Sequence, residues 1–319
     1  MMKQLFAPLA ALAALSLAAC AGYPDAVTTQ EHEAAAEEAS GPSGPALWRV
    51  ADEDTTVYLF GTVHFLPEGI DWFTPQIEQA LVSAGQFVSE VDTSAIPEVV
   101  PGEAPPPEAL AIAQMQMQLA QLTTGGTLRD LMSEEDRAEY EAVVEAIGLP
   151  LEPLDQFEPW FAYMNILQIG LVQQGLDPSL GVERTLDAYI EGKDRAAFET
   201  LEQQFLFLDS LPVESQLDLL DETVENLPEL GNGLRTMVDR WMAGDAEGLA
   251  AIINEEMTDP AVVETLLTSR NANWAEWIDN RMDQPGTVFI AVGAGHLAGD
   301  GSVQAYLAER GFAAERVGH

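Results

Sequence analysis

One cysteine, two lysines and four histidines set the first limits on this chain of 319 residues. The cysteine is Cys20, so whatever follows it has no disulfide, no cysteine nucleophile and no thiolate metal site. The lysines are Lys3 and Lys193, and the basic total of 13 faces 53 acidic residues, a formal net charge of −40. A surface of that sign repels phosphate backbones, which removes nucleic acid from the candidate partners. It favours solubility, attracts cations and opposes its own compaction, and it carries no information about fold. Two explanations of the acidity stay open, a salty habitat and a function of the acidic surface. No serine stands in a Gly-x-Ser-x-Gly elbow, so a serine-hydrolase reading has no support.

What is present begins with an address. A short basic start through Lys3 leads into an apolar run from Leu5 to Ala19, and the run closes on Leu17-Ala18-Ala19-Cys20. Basic, apolar and small-residue regions in that order are the parts of a secretory signal. The ending resembles a lipobox, in which the Cys20 thiol receives a diacylglycerol and becomes the new N-terminus. The run holds fewer apolar residues than the roughly 18 to 20 needed to span a bilayer as an uncut anchor. The expectation is an exported lipoprotein tethered to a bilayer through acylated Cys20. Ala21 at the next position suggests, by resemblance to sorted lipoproteins, the outer membrane facing the periplasm. Residues 21–45 are mostly Ala, Glu, Ser, Gly and Pro. Such a stretch buries too little apolar surface to order itself and is expected to be a disordered acidic tether.

The globular part, residues 46–319, is expected to be α/β. Leu47–Val50 and Val57–Phe60 are β-prone runs around Asp52-Glu53-Asp54, a hairpin pattern. Thr74-Pro75 caps a helix to about Ala84, and Gln86–Val91 follows as a strand carrying Glu90. From about 108 to 285 the pattern is helical almost throughout. Within it Ser133 with Asp136 resembles a capping box, and Trp160–Val172 is apolar nearly all round, a central core helix. Thr287–Val292, continuous and apolar between Gly286 and Gly293, suits a strand buried on both faces. A helix over Ser302–Arg310 and a last strand over Phe312–Val317 complete the pattern. The expected architecture is a mixed or parallel central sheet formed by the N- and C-terminal segments, with a large helical insertion between them.

Of the histidines, His32 lies in the tether and His319 ends the chain. The other two share one context, a strand, a glycine, two residues and the histidine: Gly61-Thr62-Val63-His64 and Gly293-Ala294-Gly295-His296. Glycine is about 7% of residues, so its accidental recurrence at both positions is rare. Glycine after a buried strand permits a tight turn. A side chain just past that turn projects over the carboxyl edge of the sheet, where open α/β folds place ligands. Two such strands side by side bring His64 and His296 to one mouth, and Glu90 near the end of a third can join them. Two imidazoles and a carboxylate suit zinc, manganese, iron or cobalt. Two structural histidines capping strand ends remain the alternative.

The chain resembles the TraB/GumN family, which includes the TIKI-type peptidases. The resemblance rests on spaced segments in order: Leu47–Val50, Tyr58–His64, Ser89–Asp92, Pro159-Trp160, Gly181-Val182-Glu183, Phe198–Gln203, Arg270–Trp274 and Val292–Leu297. The family carries two Gly-x-x-His motifs and a glutamate after the first, which fall here on His64, His296 and Glu90. The resemblance implies an α/β fold with a metal-dependent hydrolytic centre. Its divalent ion (zinc, manganese or cobalt) would sit on His64, Glu90 and His296.

Further candidates are weighed beside these. Glu199 is a second carboxylate for ligation or general base work, or a solvated charge ahead of a helix. Arg270 is a bidentate partner for a substrate carboxylate or an oxyanion stabiliser, or else a buried ion pair at a helix end. Asn271 binds substrate or fixes a helix turn, and Trp274 and Trp277 are packing. The functional expectation is a membrane-tethered metal-dependent hydrolase, a peptidase of small peptides outside the cytoplasm. The alternatives are a non-catalytic haem- or metal-binding envelope lipoprotein and an envelope protein whose site is vestigial.

Overall fold

The computed structural model describes residues 44–92, 104–123 and 125–318. The signal segment, Cys20, the tether as far as residue 43, His32 and His319 lie outside the described residues.

Six strands form one sheet in the order β4-β3-β5-β2-β1-β6. They are β1 (Leu47–Ala51), β2 (Thr55–Thr62), β3 (Gln86–Val91), β4 (Asp194–Glu199), β5 (Gly286–Gly293) and β6 (Glu315–Arg316). The Asp52 side chain turns β1 into β2 by accepting the Asp54 and Thr55 amides, and the two pair antiparallel from Leu47↔Phe60 to Ala51↔Thr56. The four strands β4, β3, β5 and β2 run parallel to one another, so their carboxyl ends share one edge. The sheet is mixed and joins the two ends of the chain, as the sequence pattern implies.

The apolar runs are continuous because both faces are covered. In β5, Val288, Ile290 and Val292 face one cluster with Trp274, Ala275 and Ile278, while Phe289 and Ala291 face the other. That alternation is the period-2 geometry of a strand. The covering helices are α1 (Pro75–Ser83), α2 (Pro107–Leu119), α3 (Glu134–Ala146), α4 (Pro159–Gln173), α5 (Val182–Asp187), α6 (Leu201–Asp209), α7 (Val213–Asn226), α8 (Leu230–Met242), α9 (Ala246–Glu256), α10 (Ser269–Met282) and α11 (Val303–Glu309), with one-turn helices between some of them. Thr74 caps α1 and Ser133 caps α3, each accepting an amide three residues on. Helix α4 buries Trp160, Tyr163, Ile166, Leu167 and Leu171 and is the spine of the larger core. Among the described residues no helix is long and apolar enough to cross a membrane.

Two elements differ from the expected pattern. The last strand is reduced to Glu315–Arg316. Strand β4 lies inside the segment read as helical: Asp-Arg-Ala-Ala-Phe-Glu has no β-branched residue and opens with two charges. It is an edge strand, its first two residues exposed. Sheet-edge pairing with β3, through Val91↔Glu199 among others, overrides a weak local preference.

The insertion also concentrates acid. Asp218, Asp221, Glu222 and Glu225 of α7 stand near Asp136 and Glu139 of α3 and near Asp259. Burial and then this mutual repulsion push the Asp221 carboxyl up to about 6 and that of Glu222 up to about 7. Both values are raised on folding, so the stability linked to them is full below the unfolded carboxylate range and is lost as pH rises through about 6 to 7. Glu222→Gln is therefore expected to raise the melting temperature at pH 8 and to leave it unchanged at pH 4. With the group partly solvated, the gain should be about 2–4 °C, on the order of what 1 kcal/mol produces in a domain of 150–250 residues. Equal effects at both pH values would show that Glu222 stays ionised throughout.

Candidate active site

Each parallel strand delivers one polar group to the shared carboxyl edge. Strand β2 leads to His64, β3 carries Glu90, β4 ends on Glu199 and β5 leads to His296. The two Gly-x-x-His turns press together, since β2 and β5 pair as Gly61↔Val292 and Thr62↔Gly293. A Cβ on Gly61 would stand 2.9 Å from the Ala294 Cα. The glycine is needed for close backbone approach, and the Gly61 carbonyl also accepts the Trp241 indole N–H at 2.8 Å. Gly61→Ala is expected to push the two histidine turns apart and to destabilise the protein by about 1–3 kcal/mol, the range for overpacking a filled site. A variant as stable as wild type in denaturant unfolding would show that the turns tolerate separation.

Arg270, from the first turn of α10, sits at the centre with 2% of its surface exposed. It grips Glu199 with two parallel bonds, Nε to Oε1 at 2.8 Å and Nη2 to Oε2 at 2.7 Å. Nη2 also donates to Glu90 Oε1 at 2.6 Å. Nη1 donates to the Leu266 carbonyl at 2.9 Å and lies 3.2 Å from His296 Nε2. All five N–H groups of the guanidinium are thus engaged. The rings of Trp274 and Phe207 lie 5.0 and 5.2 Å from its central carbon, within cation–π range. Leu266 belongs to a π-helical turn, Glu264–Thr268, that runs directly into α10. Such turns recur at functional sites.

The carboxylates are held from other sides too. Glu90 Oε2 accepts the Gly293 amide at 3.0 Å. Glu199 Oε1 accepts the Trp274 indole N–H at 3.1 Å. Gln204 of α6 bridges the pair, its amide nitrogen 2.9 Å from Glu90 Oε1 and 3.4 Å from Glu199 Oε2. Burial lifts the Glu90 carboxyl above its ordinary range, with Arg270 pulling the other way and Glu199 adding to the rise.

His296 is fully buried, its Nδ1 2.5 Å from Asn271 Oδ1. The Asn271 amide nitrogen donates to the Gly301 carbonyl at 2.7 Å. That bond turns Oδ1 toward the ring, so hydrogen bonding assigns the His296 proton to Nδ1 and a lone pair to Nε2, facing Arg270. Burial, then the charges of Arg270 and His64, hold its pKa well below the ordinary value. His296 is neutral at physiological pH.

His64 is placed differently. Its Nδ1 is 2.8 Å from Glu183 Oε1, while its Nε2 is buried and has no hydrogen-bond partner among the described residues. Burial alone would lower its pKa, but the charge and hydrogen bond of Glu183, with the charge of Glu90, carry it above the ordinary value against Arg270. Glu183 belongs to α5, which docks on the His64 turn: the Val182 amide donates to the Val63 carbonyl at 3.0 Å. A Cβ on Gly181 would run into the His64 carbonyl. The side chain of Glu183 is 21% exposed, against 3% for Glu90, so this end of the site reaches toward solvent. A crevice of about 10 Å3, room for about one water, is lined by Ser89, Glu90, Glu183 and Asp187 among others.

A match to the TraB/PrgY/gumN family covers residues 46–316. The chain belongs to that family. It is 26% identical over 196 residues to the uncharacterized protein YbaP of Escherichia coli (strain K12), an alignment covering 59% of this chain and 70% of YbaP. The same figures hold for YbaP of Shigella flexneri. No solved structure matches.

His64, Glu90, Glu199, Arg270, Asn271 and His296 share one neighbourhood, and of the two readings of Arg270 the structure shows the buried ion pair at a helix end. Asn271 is spent on orienting His296, and Arg270 has no donor left over for a substrate. Trp274 packs, and also holds Glu199. Glu183 and Gln204 went unrecognised as site residues. Glu183 stands in the Gly181-Val182-Glu183 segment that carries the family resemblance, and Gln204 directly follows Phe198–Gln203, so both were within reach.

A metal ion on His64, Glu90 and His296 is not fitted by this arrangement. No group of three or more His, Cys, Asp or Glu converges to hold an ion among the described residues. The place between Glu90, Glu199 and His296 is filled by a guanidinium that is a permanent cation.

Proposed function

We propose that this protein is a hydrolase whose general base is His64, oriented by Glu183, acting on small peptides outside the cytoplasm. The observation that carries the reading is the buried, unpartnered Nε2 of His64 on a ring whose Nδ1 is fixed to a carboxylate. With the proton on Nδ1, Nε2 presents a lone pair and can take a proton from an attacking water. A buried polar atom left unsatisfied is unfavourable by about 1–3 kcal/mol, and a bound water or substrate group relieves it. Glu183 holds the tautomer and stabilises the imidazolium that forms, the role of the carboxylate in a nucleophile–base–orienter triad. Among the described residues no nucleophilic side chain hydrogen-bonds to Nε2, which favours water as the nucleophile. Arg270, Glu199, Glu90 and His296 form a hydrogen-bonded centre in the same neighbourhood, and the charges of Glu90 and Arg270 act on His64. The peptide as substrate rests on the family resemblance to TIKI-type peptidases. Incubation with a mixed peptide library, read by mass spectrometry, should give cleavage by wild type and none by His64→Ala. Cleavage retained in that variant would overturn the assignment.

We also propose that the domain is tethered through acylated Cys20. Stable anchoring takes more than one acyl chain, so Cys20→Ser is expected to release the protein from membranes or leave it as uncleaved precursor. A processed Ser variant that still sediments with membranes after a high-salt wash would rule lipidation out.

A further inference from the structure

The centre near His64 has the donor set of a cation site and already contains its cation. Three groups face inward: Glu90, Glu199 and the lone-pair nitrogen of His296. All three point at one guanidinium. A divalent transition ion draws oxygen and nitrogen ligands to about 2.0–2.2 Å. Here the donors lie 2.6 to 3.2 Å from three different nitrogens of a planar group, too widely spread to close on one small ion. Each donor is also tied back from behind. Glu90 is held by the Gly293 amide, Glu199 by the Trp274 indole, and His296 by Asn271. Of the His64 ring nitrogens, Nδ1 is committed to Glu183, and Nε2 hydrogen-bonds to none of these three groups. For an ion to enter, Arg270 would have to abandon five hydrogen bonds and its place beside Trp274 and Phe207.

We infer that Arg270 is the resident cation of this centre, a built-in substitute for a divalent ion, and that the protein holds and requires no metal there. The inference concerns the cofactor requirement of the same site. It rests on the hydrolase reading only for calling that site active, and its test needs no turnover. A guanidinium offers fixed charge and planar geometry to two carboxylates at once. It polarises nothing directly, since its donors are consumed. Its work is positional: it fixes Glu90 and Glu199 and faces the lone pair of His296.

The test uses the full chain, washed in high salt to strip ions held loosely by the acidic surface. Elemental analysis should find far less than one manganese, iron, cobalt, nickel, copper or zinc per chain. Dialysis against a chelator, or addition of Mn2+ or Zn2+, should leave the melting temperature unchanged. Arg270→Ala should melt lower, and free guanidinium, at concentrations that leave wild type unaffected, should recover part of the loss where equal urea does not. One tightly held ion per wild-type chain, removed by chelator with a fall in melting temperature, would overturn the inference. So would recovery of Arg270→Ala by Mn2+ or Zn2+ and not by guanidinium. Should the variant not fold, the wild-type measurement decides alone. A wild type that cleaves no peptide would end the hydrolase reading and leave these results standing, whereas a tight ion would leave His64 and Glu183 where they are.

Discussion

Arg270→Met is expected to destabilise the protein by about 3–5 kcal/mol, the range measured when one partner of a buried ion pair is removed. Methionine fills much of the volume between Trp274 and Phe207, so the loss reports charge more than cavity. What remains is two carboxylates, 3% and 7% exposed at the side chain, with no opposite charge between them. The amides of Gln204 and Gly293 and the Trp274 indole still donate to them, but none of these carries charge. The defect should shrink in acid. Burial already raises Glu90 above its ordinary range. A raised carboxyl adds stability below the unfolded pKa and loses it as pH rises through the folded one. The difference between variant and wild type should therefore be smaller at pH 4 than at pH 8 in urea unfolding. Adding Glu90→Gln and Glu199→Gln to Arg270→Met should recover part of the loss, because neutral amides are buried at lower penalty than unpaired charges. A single-variant loss below about 1 kcal/mol would place the pair in the range of solvated ion pairs and contradict the sealed geometry.

That geometry shows where sequence reading carries and where it stops. The positions of His64, Glu90 and His296 were legible because strand ends announce themselves. A buried run stopped by glycine fixes the edge at which the next side chain emerges, and parallel pairing of β2, β3 and β5 then brings those edges together. Glu199 was harder, since β4 has little strand preference and its place is set by the neighbour it pairs with. Glu183 was within reach through the Gly181-Val182-Glu183 segment, but no periodicity tied it to His64. It reaches His64 because the segment before α5 bridges back to the β2 turn through Leu66 and Asp177, and the first residue of α5 does so through Val182 and Val63. Those hydrogen bonds join residues more than a hundred positions apart, and no periodicity encodes them. The role of Arg270 stayed open between a substrate contact and a buried ion pair for a further reason. An arginine, two glutamates and a histidine are compatible with a metal site and with an ion-pair centre alike, and only the distances tell them apart.

The dyad at the open end makes the second large prediction. With a peptide that wild type cleaves, His64→Ala should lower kcat/KM by about 10^2–10^4-fold, the usual contribution of general base catalysis. The fold should survive, because His64 sits past the end of β2 and takes no part in the pairing of the sheet. The pH profile tests the assignment more closely. A general base works when unprotonated, so kcat/KM should rise with pH and level off above the His64 pKa of the free enzyme. Glu183 and Glu90 carry that pKa above its ordinary value despite burial. The acid limb should accordingly fall above 6.5, the ordinary value for histidine. In Glu183→Gln the charge that raises it is gone, and burial and Arg270 now dominate. The limb should move to lower pH while the plateau falls, since the amide neither stabilises imidazolium nor fixes the tautomer. A structural histidine predicts otherwise: a lower melting temperature in both variants, with an unchanged acid limb in Glu183→Gln. His296→Ala serves as the contrast. Burial, then the charges of Arg270 and His64, hold the His296 pKa well below its ordinary value, so its loss should lower the plateau without moving the limb. An acid limb that shifts with His296 and stays fixed with Glu183 would hand the base role to the other histidine.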